Sequence, residues 1–191
     1  MRTITTETKA YTWPELSESA KDYAREQYRE HNLDYDWWDF TYDDAKTIAA
    51  LFGLRIDNIY FSGFWSQGDG ACFTGNYYYQ KGALKAVMGY APKDTELHCI
   101  VARLQEIQRK AFYGLQSAIE QTRGNNMRIY VEHDTSRNIT ESEEDDITSE
   151  LNDFADWIYS RLESEYEYLQ SNEVIDEYLA EFEFTSEGEL I

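Results

Sequence analysis

The sequence predicts an α+β fold: a small antiparallel sheet with an aromatic central hairpin, covered by four to five helices. Three observations lead there. Two neighbouring segments, LRIDNIYFSGFW and ACFTGNYYYQ, are rich in β-branched and aromatic residues and are joined by the glycine-bearing stretch SQGDG. Elsewhere, apolar residues recur at the three- and four-residue spacings of helix faces. The two kinds of segment are grouped rather than regularly alternating, which disfavours a parallel sheet with crossover helices. The 191 residues contain no internal repeat and no Pro- or Ser-rich linker. A single domain over 1–191 is therefore expected, with an acidic helical C-terminal region from about residue 141.

In chain order, residues 2–11 alternate weakly and predict an edge strand. In TWPELSESAKDYAREQYREH, Ser17 is a good N-cap, and Leu16, Ala20, Tyr23, Ala24 and Tyr28 form a helical stripe. DYDWWDFTYDDAKTIAALFG predicts a second helix capped by Asp34 or Asp36. Trp37, Phe40, Ile48, Leu51 and Phe52 supply its apolar faces, and Gly53 is its C′ residue. The two aromatic strands follow, then a short helical or irregular link between Lys81 and Pro92. From Asp94 to about Thr122 one long helix is expected, because Leu97, Ile100, Val101, Leu104, Ile107, Ala111, Leu115 and Ile119 fall on one face. Gly124 would end it. NMRIYVEHD reads as a short strand and DTSRNITES as a polar loop.

The acidic region is patterned too. Ile147, Leu151, Phe154, Ile158, Leu162, Tyr166 and Leu169 step by three or four residues along one helix. Asn172 can cap another, with Val174, Ile175, Tyr178, Leu179 and Phe182 on its buried side. FEFTSEGELI is a last strand or a tail.

Composition narrows the function. Aromatics are 16% of residues, including 16 tyrosines, which is too much apolar bulk for a disordered chain. Lys and Arg total 17 against 37 Asp and Glu, a formal net charge of −20. Residues 141–191 hold 18 acidic side chains and one basic, Arg161. Direct binding to nucleic acid or an anionic membrane is disfavoured, since both depend on Lys and Arg. A basic partner protein is the natural counterpart. Two cysteines without CxxC spacing, no signal-peptide pattern and no long apolar run predict a soluble protein of a reducing cytoplasm.

Two stretches invite a chemical reading. In FSGFWSQGDGACF, Asp69 and the glycines suit a hairpin turn. A nucleophile at Ser66 or Cys72 would need His31, His98 or His133 as its base, and all three are distant in sequence. The stretch lacks the lysine of a phosphate loop. Trp65, Gln67 and Asp69 are kept as a candidate aromatic or loop contact. Aromatic density on the two strands leaves two readings open: Tyr77, Tyr79, Trp65 or their neighbours stand near solvent, where such side chains serve interfaces, or helices cover both sheet faces.

No metal site is expected. The loop Asp134 to Asp145 imitates a calcium loop at its first positions, but it has Ile139 where glycine is needed and Asp145 where a bidentate Glu is needed. The acidic helix is the stronger clue. Its carboxylates fall about every 4 Å, close to the roughly 3.4 Å spacing of charges along a nucleic-acid strand. Glu143, Glu144, Asp145, Asp146, Glu150 and Asp153 are the candidate partner-binding residues.

YTWPELSESAKDYAREQYRE, DYDWWDFTYDDAKTIAALFGLRIDNIYFSGFWSQGDGACFTG, APKDTELH and DWIYSRLESEYEYLQSNEVIDEYLAEFEFTSEGE together cover most of the chain. They resemble a family of small uncharacterised proteins encoded by bacteriophages and prophages, some labelled "antitoxin of toxin-antitoxin stability system". FSGFWSQGDGA is the most distinctive string. The resemblance implies a protein made by a virus inside a bacterial cytoplasm and carries over no catalytic residue. The expected function is a non-enzymatic inhibitor, without cofactor, that binds a basic host or defence protein and mimics nucleic acid. An antitoxin neutralising a cognate toxin is the alternative. An enzyme or small-ligand binder built on Cys72, Asp69 and a histidine comes third.

Overall fold

A computed structural model describes residues 9–31 and 33–191, with side chains of Glu30 and His31 left aside. The strand expected over residues 2–11 falls mostly outside that range; within it, Tyr11–Thr12 forms β1. The chain divides into two compact units, Trp38–Glu163 and a smaller one made of Met1–Trp37 with Ser164–Ile191.

The larger unit contains α2 (Asp39–Leu51), β2 (Leu54–Ser62), β3 (Gly70–Tyr78), α3 (Ala83–Tyr90), α4 (Thr95–Lys110), β4 (Leu115–Gln121) and β5 (Met127–His133). It also holds α5 (Glu141–Leu169) as far as Glu163. The strands form one antiparallel sheet in the order β2-β3-β4-β5. The aromatic hairpin is its first half, running in register from Leu54 opposite Tyr77 to Ser62 opposite Gly70. A bulge between Ile56 and Asn58 lies beside Gly75. A Cβ on Gly75 would lie 1.9 Å from the Arg55 carbonyl oxygen, so only glycine allows the two backbones to approach this closely.

The helix expected from Asp94 to Thr122 stops at Lys110. Phe112 and Tyr113 then take left-handed backbone angles, φ 54° and 64°, and the chain turns into β4. Leu115 and Ile119 fit a helical face, but with Ser117 they fit strand alternation equally well. The strand wins because β4 pairs with β3 on one side and β5 on the other. Gly124, at φ 66°, sits in the β4–β5 turn rather than at a helix end.

Alternation divides the sheet into two faces. Ile59, Phe73, Tyr77, Leu115, Ile119 and Ile129 are buried on the inner one. There Phe154 of α5 meets Phe52 and Phe73 edge-on, at 5.0 and 6.0 Å between ring centres. Leu97, Ile100 and Leu104 of α4 are buried as well. Asp94 caps α4 by accepting the Leu97 N–H at 3.0 Å, and accepts the Trp157 indole N–H at 2.9 Å. Tyr60, Tyr78 and Tyr130 are exposed. Tyr77, one of the candidates for exposure, is therefore in the core. Its partner in register is the inward Ser117, one residue out of phase with exposed Tyr78. Tyr79 is half-buried and lies against Tyr113 with the two rings tilted, 4.6 Å between centres.

In α2 the expected Asp34 or Asp36 cap is not formed; Trp38 occupies the N-cap, with no side-chain capping hydrogen bond. Phe40, expected on an apolar face, is 89% exposed. The buried face is set by Ala45, Ile48 and Ala49. Phe40 lies five residues before Ala45, well off that face at about 100° per residue.

The smaller unit pairs α1 (Glu18–His31) and α6 (Asn172–Leu179) with the two-stranded sheet of β1 and β6 (Glu183–Phe184). Trp13, Leu16, Ala20, Ala24, Ile175, Leu179 and Phe184 form its core. Arg25 grips Asp176 through two N–H groups at 2.6 and 2.7 Å and lies over the Trp13 ring. Ser17 caps α1 as expected, whereas α6 is capped by Ser171 instead of Asn172.

Candidate functional site

The acidic helix α5 begins with a capping box. The Glu143 N–H donates to the Thr140 hydroxyl at 3.2 Å, and the Glu143 carboxylate accepts the Thr140 N–H at 2.9 Å. Arg137 closes on the same carboxylate at 2.6 and 3.0 Å. These bonds, Arg137 foremost, hold the Glu143 carboxyl down at about 2. Glu143 therefore caps the start of α5. The T-x-x-E signature of Thr140 and Glu143 is the sequence signal that assigns this role.

Two more candidate carboxylates are also engaged. Arg103 of α4 donates to Glu150 at 2.7 Å and to Asp153 at 2.9 Å. The Glu150 side chain is only 10% exposed. Burial pushes its carboxyl up, and Arg103 offsets part of that. Glu144, Asp145 and Asp146 are exposed, and among the described residues they form no ion pair with a basic side chain. The six candidates thus separate into a structural trio and a solvent-facing trio. Between Asp146 and Asp156, about 15 Å of helix carries no unpaired carboxylate. The exposed charge is densest as a knob at the helix start and resumes at Asp156, so it is not an even line.

The hairpin loop between β2 and β3 is built as a turn. Asp69 accepts the Ser66 N–H at 2.7 Å, and its own N–H donates to the Ser66 carbonyl at 3.1 Å. Asn125, in the β4–β5 turn, donates to the Ser62 hydroxyl and, at 3.3 Å, to the Gly68 carbonyl. The Tyr159 hydroxyl of α5 donates to the Gly63 carbonyl at 3.2 Å. Gln67 is exposed at the tip. Trp65 has φ 69° and is 69% exposed.

Behind Trp65 the fold assembles rings from four segments. Phe61 lies 5.5 Å from Trp38, 6.4 Å from Tyr42 and 5.9 Å from Phe64, centre to centre. Phe64 in turn lies 5.9 Å from Trp65 and 5.4 Å from Tyr159. Burial pushes the Tyr42 phenol up to about 12 and raises that of Tyr159. Asp69 and Glu163 add to the Tyr159 shift, so both carboxylates act on this ring. Trp38, Tyr42 and Tyr159 carry no sequence signal that groups them, because each lies off the apolar stripe of its own helix and they meet only through the fold.

The residues of the enzymatic reading have other employment. Cys72 is fully buried, its sulfur 4.0 Å from the Gly124 carbonyl under the β4–β5 turn, and burial pushes its thiol up. His98 pairs with the Ala91 carbonyl at 2.8 Å and His133 with the Ala111 carbonyl at 2.9 Å. Among the described residues no group of three His, Cys, Asp or Glu converges as a metal site. Nor is any helix among them long and apolar enough to cross a membrane.

Compared with known proteins, residues 37–172 match a family model described as a domain of unknown function, DUF8835. The match takes in the whole larger unit, and the chain belongs to this family. No curated protein and no solved structure matches it.

Proposed function

We propose that this chain is a non-enzymatic, phage-encoded binding protein of the bacterial cytoplasm that inhibits a basic, nucleic-acid-binding host or defence protein by direct contact. The observation that carries the reading is the knob of Glu144, Asp145 and Asp146. These carboxylates are exposed on the first turns of a helix whose end is fixed by Thr140, Glu143 and Arg137. Rigid presentation lowers the ordering cost of binding, and a dense negative field speeds encounter with a basic groove. The ion pairing of Glu150 and Asp153 with Arg103, which halves their net charge, favours a local plug in such a groove over imitation of a long strand.

The test is capture on immobilised wild-type protein from lysate of phage-infected cells, with stepwise salt elution and identification by mass spectrometry. A single nucleic-acid-binding protein released by rising salt, and displaced from a labelled DNA duplex by the free chain, is the expected result. A small toxin encoded beside the chain would replace this reading with the antitoxin one. Capture of nothing in a salt-dependent manner would overturn both.

A further inference from the structure

We infer that the ring cluster at the tip of the β2–β3 hairpin is an arginine-binding platform, with Trp65 as the face on which a partner's guanidinium stacks. The inference rests on the proposal of a basic protein partner and names the side chain that is recognised.

Three independent features support it. The first is the exposure of Trp65, whose indole stands on the surface while Phe64, Phe61 and Tyr159 pack behind it. A broad indole backed by other rings is a rigid surface that costs little ordering on binding. The second is the sign of the surrounding charge. Asp69 shares the loop, and Asp69 and Glu163 both act on Tyr159. Asp39 opens α2 and acts on Tyr42. A cation on an aromatic face is attracted by the ring quadrupole, and the carboxylates that act on the neighbouring Tyr159 and Tyr42 add to that attraction. A planar guanidinium suits this better than an ammonium, because it stacks on the ring while its edge N–H groups reach a carboxylate.

The third feature is backbone strain. Trp65 is a bulky residue at φ 69°, a region that glycine occupies at no steric cost. A glycine would serve the turn better, as it does at Gly68, φ 93°, in the same loop. Strain kept at an exposed, bulky side chain marks a position where the side chain has a use.

The strain also supplies the test. Trp65→Gly relieves the backbone while removing the ring. Wild type, Trp65→Gly and the Glu144→Gln/Asp145→Asn/Asp146→Asn triple variant are titrated with hexa-arginine and with hexa-lysine peptides. Affinity is read by calorimetry, and the Trp65 indole N–H resonance, assigned by its loss in Trp65→Gly, is followed by NMR. Trp65→Gly is expected to melt close to wild type and to bind hexa-arginine at least fivefold more weakly, with a smaller change for hexa-lysine. In the triple variant the arginine peptide still shifts the Trp65 indole resonance, because the platform is intact there. An unmoved indole resonance, or equal hexa-arginine affinity in wild type and Trp65→Gly, overturns the inference. Neither result touches the acidic knob, whose failure appears instead as unchanged partner affinity in the charge-reversed protein.

Discussion

Arg103 and Glu150 are joined across α4 and α5 by an ion pair of 2.7 Å, and the second arm of the same guanidinium reaches Asp153 at 2.9 Å. One arginine thereby withdraws two carboxylates from a helix whose sequence reads as uniformly acidic. Removing either partner has unequal consequences. Arg103→Ala leaves the nearly buried Glu150 carboxylate without its donor and is expected to destabilise by about 2 kcal/mol, whereas Glu150→Gln costs about half as much or less. Urea denaturation of the two variants measures the difference, and equal losses would mean that the pair is solvated.

Glu143 gives a dependence on pH. Its carboxyl sits at about 2 in the folded chain, below the ordinary 4.5. A depressed carboxyl contributes stability that is complete above the unfolded value and is lost as pH falls through the folded one. Wild type is therefore expected to exceed Glu143→Gln in stability at pH 6. The gap should narrow from roughly pH 4.5 downward and close near pH 2. Denaturation curves at several pH values check the sign, and a gap that widened in acid would contradict it.

Gly75 sets how closely β2 and β3 approach at the bulge. A methyl group there meets the Arg55 carbonyl oxygen at 1.9 Å and the Arg55 carbonyl carbon at 3.0 Å, both backbone atoms that cannot swing aside. Gly75→Ala is expected to cost about 3 kcal/mol or more, or to prevent folding. Gly68→Ala, where no heavy atom lies within 4 Å, should cost far less despite its positive φ. Comparing the two by thermal melting separates steric clash from backbone preference.

The cysteines report on the enzymatic alternative. Cys99 is exposed, whereas Cys72 is buried and its thiol is pushed up by that burial. A thiol reagent at neutral pH should modify Cys99 quickly and Cys72 only when the protein unfolds. Peptide mapping after brief labelling distinguishes the two, and fast labelling of native Cys72 would revive it as a nucleophile.

What the sequence conveys depends on how local the determining interaction is. The three- and four-residue steps from Ile147 to Leu169 specify α5, since seven apolar positions agree on one face and no competing pattern exists. Leu115 and Ile119 satisfy helix and strand templates alike, and only pairing with β3 and β5 decides between them. The same holds for charge. Glu143 carries its role in the local Thr140–Glu143 signature, but Glu150 is neutralised by a residue 47 positions away, which no reading of the acidic run reveals. The ring cluster behind Trp65 joins α2, β2, the loop and α5, so its parts were legible and its assembly was not.

The central claim is that Glu144, Asp145 and Asp146 contact a basic partner. Its most direct test is the dissociation constant of the captured partner for wild type and for Glu144→Lys/Asp145→Lys/Asp146→Lys, at matched salt. Carboxylates in the first turns also favour the helix dipole, so circular dichroism must first show that α5 persists in the variant. The account predicts a loss of about tenfold or more in affinity, most of it in the association rate, together with a shallower salt dependence. Unchanged affinity in a folded variant would contradict it and leave the knob a solvated helix end.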